Sequence, residues 1–112
     1  MEEDKLEKLS KDYQLLQEQM QSLALQREQF RLQKEEYKEA LEELEKAQGK
    51  VYMAIGGIMV ETTKEEAKKG IEEKASMAEM RLGIVTKQYE EIAKKEQDMR
   101  AQINNLLKEL KQ

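Results

Sequence analysis

At 112 residues, with 39% of them charged, 4% aromatic and no proline, the chain is one structural unit, too polar for a compact core and composed for long helices. A net charge of −4 excludes a nucleic-acid groove, which needs clustered Lys and Arg against phosphate; Lys68-Lys69 and Lys94-Lys95 sit among Glu66, Glu90, Glu91 and Glu96 and read as solvated helix faces. Cysteine and histidine are absent, which excludes disulfides and thiolate metal sites and leaves no general base for Ser10, Ser22 or Ser76.

The start, Met1-Glu2-Glu3-Asp4-Lys5, is too charged for a signal peptide. From there a heptad repeat runs through Leu6, Leu9, Tyr13, Leu16, Met20, Leu23, Phe30, Tyr37, Leu41 and Leu44, with only Arg27 and Lys34 breaking the apolar seam. Apolar spacings alternating three and four, with Glu, Gln and Lys between them, predict a coiled-coil helix over residues 2–48. Gly49 fits the residue that ends it.

The next segment changes character. Val51-Tyr52-Met53-Ala54-Ile55, Gly56-Gly57 and Ile58-Met59-Val60-Glu61-Thr62 read as two strands around a two-residue turn, because paired glycines supply the positive φ angles of tight hairpins. This hairpin is predicted over 51–62. Val51 to Val60 is also the longest apolar stretch, and it is far too short to span a membrane. A cytoplasmic protein without membrane contact is therefore expected.

Thr63 as N-cap and Glu66 three residues on predict a capping box and a second helix over 64–111. Its seam runs through Ile71, Ala75, Ala78, Leu82, Val85, Tyr89, Ile92, Met99, Ile103, Leu106 and Leu110, broken only by Glu96. Each helix would be about 70 Å long at a rise of ~1.5 Å per residue. A turn pairing Ile55 with Ile58 selects one antiparallel alignment of the seams: Leu41 with Ile71, Tyr37 with Ala75, Phe30 with Leu82, Leu23 with Tyr89, Tyr13 with Met99 and Leu6 with Leu106. Arg27 and Glu96 then face Val85 and Leu16, and read as snorkelling residues that weaken the seam and discourage slipped pairings.

Two surfaces stand out. An isolated two-stranded hairpin is marginal in water, yet Val51, Met53, Ile55, Ile58 and Val60 load one face with apolar side chains, and Tyr52 and Met59 add more opposite. Its exposed edges recruit further strands, so Val51, Tyr52, Met53, Ile55, Gly56, Gly57, Ile58, Met59 and Val60 form a candidate subunit-assembly element. At the other ends of the helices, Leu6, Leu9, Tyr13, Leu15, Met99, Ile103, Leu106, Leu107 and Leu110 form a candidate binding surface for apolar partners, where Met and Leu suit adaptable contact.

The order of helix, hairpin and capped helix resembles the β-type prefoldin subunits, especially archaeal ones. The resemblance covers nearly the whole chain and rests on Ala40-Leu41-Glu42-Glu43-Leu44, Val51-Tyr52, Gly56, Ile58-Met59-Val60 and Thr62-Thr63-Lys64-Glu65. It implies a mainly α fold, in which a long antiparallel two-helix coiled coil is joined by a single β-hairpin that oligomerises into a β-barrel body. It further implies a hetero-hexamer with α-type subunits and further β-type copies. The assembly would be an ATP-independent holdase without cofactor that binds unfolded polypeptides at the arm tips and passes them to a group II chaperonin. A structural coiled-coil adaptor with one defined partner is the alternative; a nucleic-acid arm like those of some tRNA synthetases would need a basic face, which the sequence lacks.

Overall fold

The computed structural model describes residues 1–111 and contains two long helices with a two-stranded antiparallel hairpin between them: α1 (Glu2–Lys46), β1 (Val51–Ile55), β2 (Ile58–Thr62) and α2 (Lys64–Lys111). The charges at the helix ends follow the helix dipole, with Glu2, Glu3 and Asp4 in the first turn of α1 and Lys46 in its last. Helix α1 stops two residues before the position expected from the heptads. Its last turn tightens, the Ala47 amide bonding the Leu44 carbonyl at 3.2 Å, and Gly49 then adopts φ +89°, a left-handed conformation that cannot continue a helix. The capping box is half as drawn from sequence: the Glu66 amide donates to Thr63 Oγ1 at 3.1 Å, but the Glu66 carboxylate accepts the Thr62 hydroxyl at 3.1 Å rather than the Thr63 amide.

The strands pair Val51 with Thr62, Tyr52 with Glu61, Met53 with Val60, Ala54 with Met59 and Ile55 with Ile58, the register that the Gly56-Gly57 turn implies. Only Gly56 of the two turn glycines has positive φ, at +59°. That fits a type II′ turn, where the first central residue alone needs glycine.

The described residues form two compact units: Met1–Arg27 with the chain from Ile84 onward, and Glu28–Gly83. In the first unit the buried residues are Leu16, Val85 and Glu96; in the second they are Ala67 and Ala78. Of these, Leu16, Ala78, Val85 and Glu96 lie on the heptad seam; Ala67 does not. No large side chain among the described residues is fully buried, so the interior is a seam rather than a core. No helix among the described residues is long and apolar enough to cross a membrane.

Candidate assembly and binding surfaces

The unit containing the hairpin carries its apolar load outward. Tyr52, Met53, Ile55, Ile58, Met59 and Val60 are all exposed, Ile58 to 68% and Met59 to 66%, while Val51 at the base is half-buried. These side chains do not fold down onto the chain's own helices. Burying six such groups would contribute on the order of 10 kcal/mol, a driving force that this chain alone leaves unused.

Beneath the hairpin the two helix ends are clasped by residues that heptad reading missed. Lys64 Nζ donates to the Glu45 carbonyl at 2.9 Å and the Ala47 carbonyl at 3.3 Å, and Lys68 Nζ lies 3.5 Å from the Glu45 carboxylate. A cation on the last carbonyls of α1 satisfies groups that a helix end leaves open. The signal was a lysine at the first position of α2, and no seam pattern marks it. Further along this unit, Lys34 Nζ meets Glu79 at 3.3 Å, consistent with the expected alignment, and the neighbouring seam residue Ala78 is buried.

In the other unit, the candidate binding residues divide into two sets. Leu15, Leu107 and Leu110 are exposed, whereas Leu6, Leu9, Tyr13, Met99, Ile103 and Leu106 are half-buried along the seam. Tyr13 is also engaged by a polar cluster. Its hydroxyl donates to Glu96 Oε1 at 2.6 Å, and Arg100 grips the same carboxylate through Nε at 3.0 Å and Nη2 at 2.7 Å.

Glu96 is therefore not a snorkelling residue, as the sequence suggested. It is only 7% exposed, and its charge is retained because two partners satisfy it. The Arg100 guanidinium, helped by the Tyr13 hydroxyl, holds the Glu96 carboxyl below the usual carboxylate range against the upward push of burial. Donating to Glu96 in turn raises the Tyr13 phenol above its ordinary value, with burial adding to the effect. Arg27 likewise does not reach for solvent alone: its guanidinium lies 4.4 Å from the centre of the Tyr89 ring, a cation–π contact. Beside the cluster, Met20, Ala24 and Tyr89 line a shallow groove with Gln14, Gln17 and Gln21.

Among the described residues, no three His, Cys, Asp or Glu side chains are grouped to hold a metal ion.

Comparison with known proteins agrees with this architecture. The family described as "Prefoldin subunit" matches residues 7–110. Among solved structures, the chain is similar to the prefoldin beta subunit from Thermococcus strain KS-1, with a TM-score of 0.84, 28% sequence identity and 90% of each chain covered. No match was found among curated protein sequences.

Proposed function

The chain belongs to the prefoldin subunit family, and on that premise we propose that it is a β-type subunit of an ATP-independent holdase. Membership supports a chaperone role and assembly with other prefoldin subunits. In the finer reading, hairpins from several chains form a β-barrel body with α-type partners in a hetero-hexamer. The helical arms hold non-native polypeptides and deliver them to a group II chaperonin in the cytoplasm.

The observation that carries this reading is the bare hairpin. Six large apolar side chains stand exposed on a two-stranded sheet with unpaired edges, and neighbouring hairpins satisfy both the edges and the apolar faces at once. Client binding is assigned to Leu6, Leu9, Tyr13, Leu15, Met99, Ile103, Leu106, Leu107 and Leu110. Many weak apolar contacts would share the load, and the charged helix faces would keep the complex dissolved.

Light scattering of the chain, alone and mixed with an α-type subunit, tests assembly. A discrete hexamer on mixing is expected, and a monomer unchanged by the partner would defeat the barrel. Removing residues 1–10 and 104–112 tests the arms. The shortened chain should still assemble but lose its suppression of client aggregation; unimpaired suppression would move client binding elsewhere.

A further inference from the structure

The hairpin is attached to its two helices by unlike joints. On one side a single residue, Thr63, separates β2 from α2. That joint is tight: the Glu66 amide donates to Thr63 Oγ1 at 3.1 Å, the Ala67 amide to the Thr63 carbonyl at 2.9 Å, and the Thr62 hydroxyl to the Glu66 carboxylate at 3.1 Å. On the other side, residues 47–50 separate α1 from β1. Gly49 stands there at φ +89°, with nothing within 4 Å of where a Cβ would sit. Among the described residues, Gln48, Gly49 and Lys50 make no hydrogen bond or ion pair, and the Ala47 amide reaches only back to the Leu44 carbonyl.

Lys64 joins the two sides. It is the first residue of α2, next to the tight joint, and its Nζ donates to the Glu45 carbonyl at 2.9 Å and the Ala47 carbonyl at 3.3 Å. An ammonium group carries three donors, so one side chain can hold both carbonyls. The strand pair Val51–Thr62 closes the same ring from the other side. Residues 47–51 and 62–64 therefore form a closed frame at the base of the hairpin. Lys68 adds a tie 3.5 Å from the Glu45 carboxylate, but that contact grips a side chain of α1 and not the backbone of the linker.

We propose that Lys64 is a positioning residue for subunit assembly: by pinning the loose joint to the tight one, it sets the direction in which the hairpin presents its apolar face. The inference rests on the proposed assembly through the hairpin. With the frame opened, residues 47–50 are free to rotate and the hairpin swings on the joint at Thr63 alone. A hairpin that must be ordered as it docks binds more weakly than one already held, because the ordering cost is subtracted from the contact. Lys64 is exposed, so its bonds compete with water and add little to overall stability. Its effect is confined to a linker that nothing else holds to α2.

Two substitutions separate the charge from the stem. Lys64→Met keeps the apolar stem and removes the ammonium, whereas Lys64→Arg keeps the charge and the donors. Each full-length chain is mixed with an α-type subunit, and light scattering on dilution reads the concentration at which the oligomer dissociates. Lys64→Met should dissociate at about tenfold higher concentration, the ordering cost of one linker residue. Helix content and the melting curve of the unmixed chain should barely move. Amides of residues 48–50 should exchange faster in that unmixed chain, and Lys64→Arg should restore both readings. Lys68→Met, which leaves the backbone contacts in place, should stay near the wild type.

Assembly of Lys64→Met at the wild-type concentration overturns the positioning role and leaves assembly through the hairpin intact. So does weaker assembly matched by an equal loss of helix content. Weaker assembly with unchanged exchange at residues 48–50 would make Lys64 a direct contact with the partner, and would overturn the positioning role as well. A wild-type chain that never assembles overturns both readings.

Discussion

Along β1 and β2 the large apolar side chains face outward, with Ile55, Ile58 and Met59 all more than half exposed. In the unit formed by residues 1–27 and the chain from Ile84 onward, most apolar residues turn inward along a seam, and a carboxylate is buried among them with two hydrogen-bonding partners. One region satisfies the buried carboxylate of its seam and hides most of its seam side chains within a single chain, while Leu15, Leu25 and Ile84 off the seam stay exposed; the other leaves both its edges and its apolar faces uncovered. Structure that is complete in one chain and structure that awaits a partner can thus be told apart by exposure and hydrogen bonding, without reference to sequence similarity.

The sharpest way to break the contrast is Ile58→Asp. In the isolated chain Ile58 is exposed, so helix content by circular dichroism should barely change, while light scattering should show the oligomer lost. Leu16→Ala acts on the opposite region. Removing a buried side chain there should cost about 2–3 kcal/mol in a denaturation measurement, with assembly through the hairpin retained under folding conditions.

The Glu96 cluster gives a smaller and pH-dependent effect. Tyr13→Phe removes one of the two donors to Glu96 Oε1, leaving Arg100 Nε in place, and should lower the melting temperature near neutral pH. Because the Glu96 carboxyl is held below its ordinary value, its contribution is present above the unfolded carboxylate range and is lost as pH falls through the lowered folded value. Because the Tyr13 phenol is raised, its contribution is present below the ordinary phenol pKa of about 10 and is lost as pH rises through the higher folded value. Melting curves of the wild type should therefore decline at both extremes, and the alkaline decline should shrink in Tyr13→Phe. The smallest effects lie in the turn. Gly56→Ala places a Cβ at φ +59° and should cost about 1–2 kcal/mol. Gly57→Ala, with negative φ and nothing within 4 Å of the added atom, should be close to neutral in the same melt.

Periodicity made most of the fold legible. Nearly every apolar seam position is half-buried or buried; Leu110 is the exception. The strand register also follows from one pair of glycines. What escaped were contacts that do not lie level with each other. Tyr13 is level with Met99 yet bonds Glu96, and Arg27 is level with Val85 yet lies over Tyr89. Heptads specify which face a residue joins, but a long side chain interdigitates with positions a turn above or below it. The Glu96-to-Arg100 spacing was visible as an i,i+4 pair; that it would stabilise a buried charge depended on Tyr13 from the other helix. The Lys64 clasp was hidden for a different reason, since its acceptors are backbone carbonyls and leave no side-chain pattern. For the surfaces, composition pointed to the hairpin because its apolar load has no partner within the chain. At the helix ends a residue such as Leu106 reads equally as seam or as binding surface.

The antiparallel register has a consequence for how the protein is made. Paired residues are separated by three positions at Ile55 and Ile58 but by 83 at Tyr13 and Glu96, so every step away from the turn closes a longer loop. The entropic cost of closure rises only slowly with loop length when inner pairs form first, which favours zipping outward from the turn. During synthesis at ~5–20 residues per second, α1 is made entire before any of α2, so its seam waits seconds for the partner helix to be completed. A chain built in this order spends its first moments as an unfolded apolar surface, the same kind of object that the proposed holdase would bind.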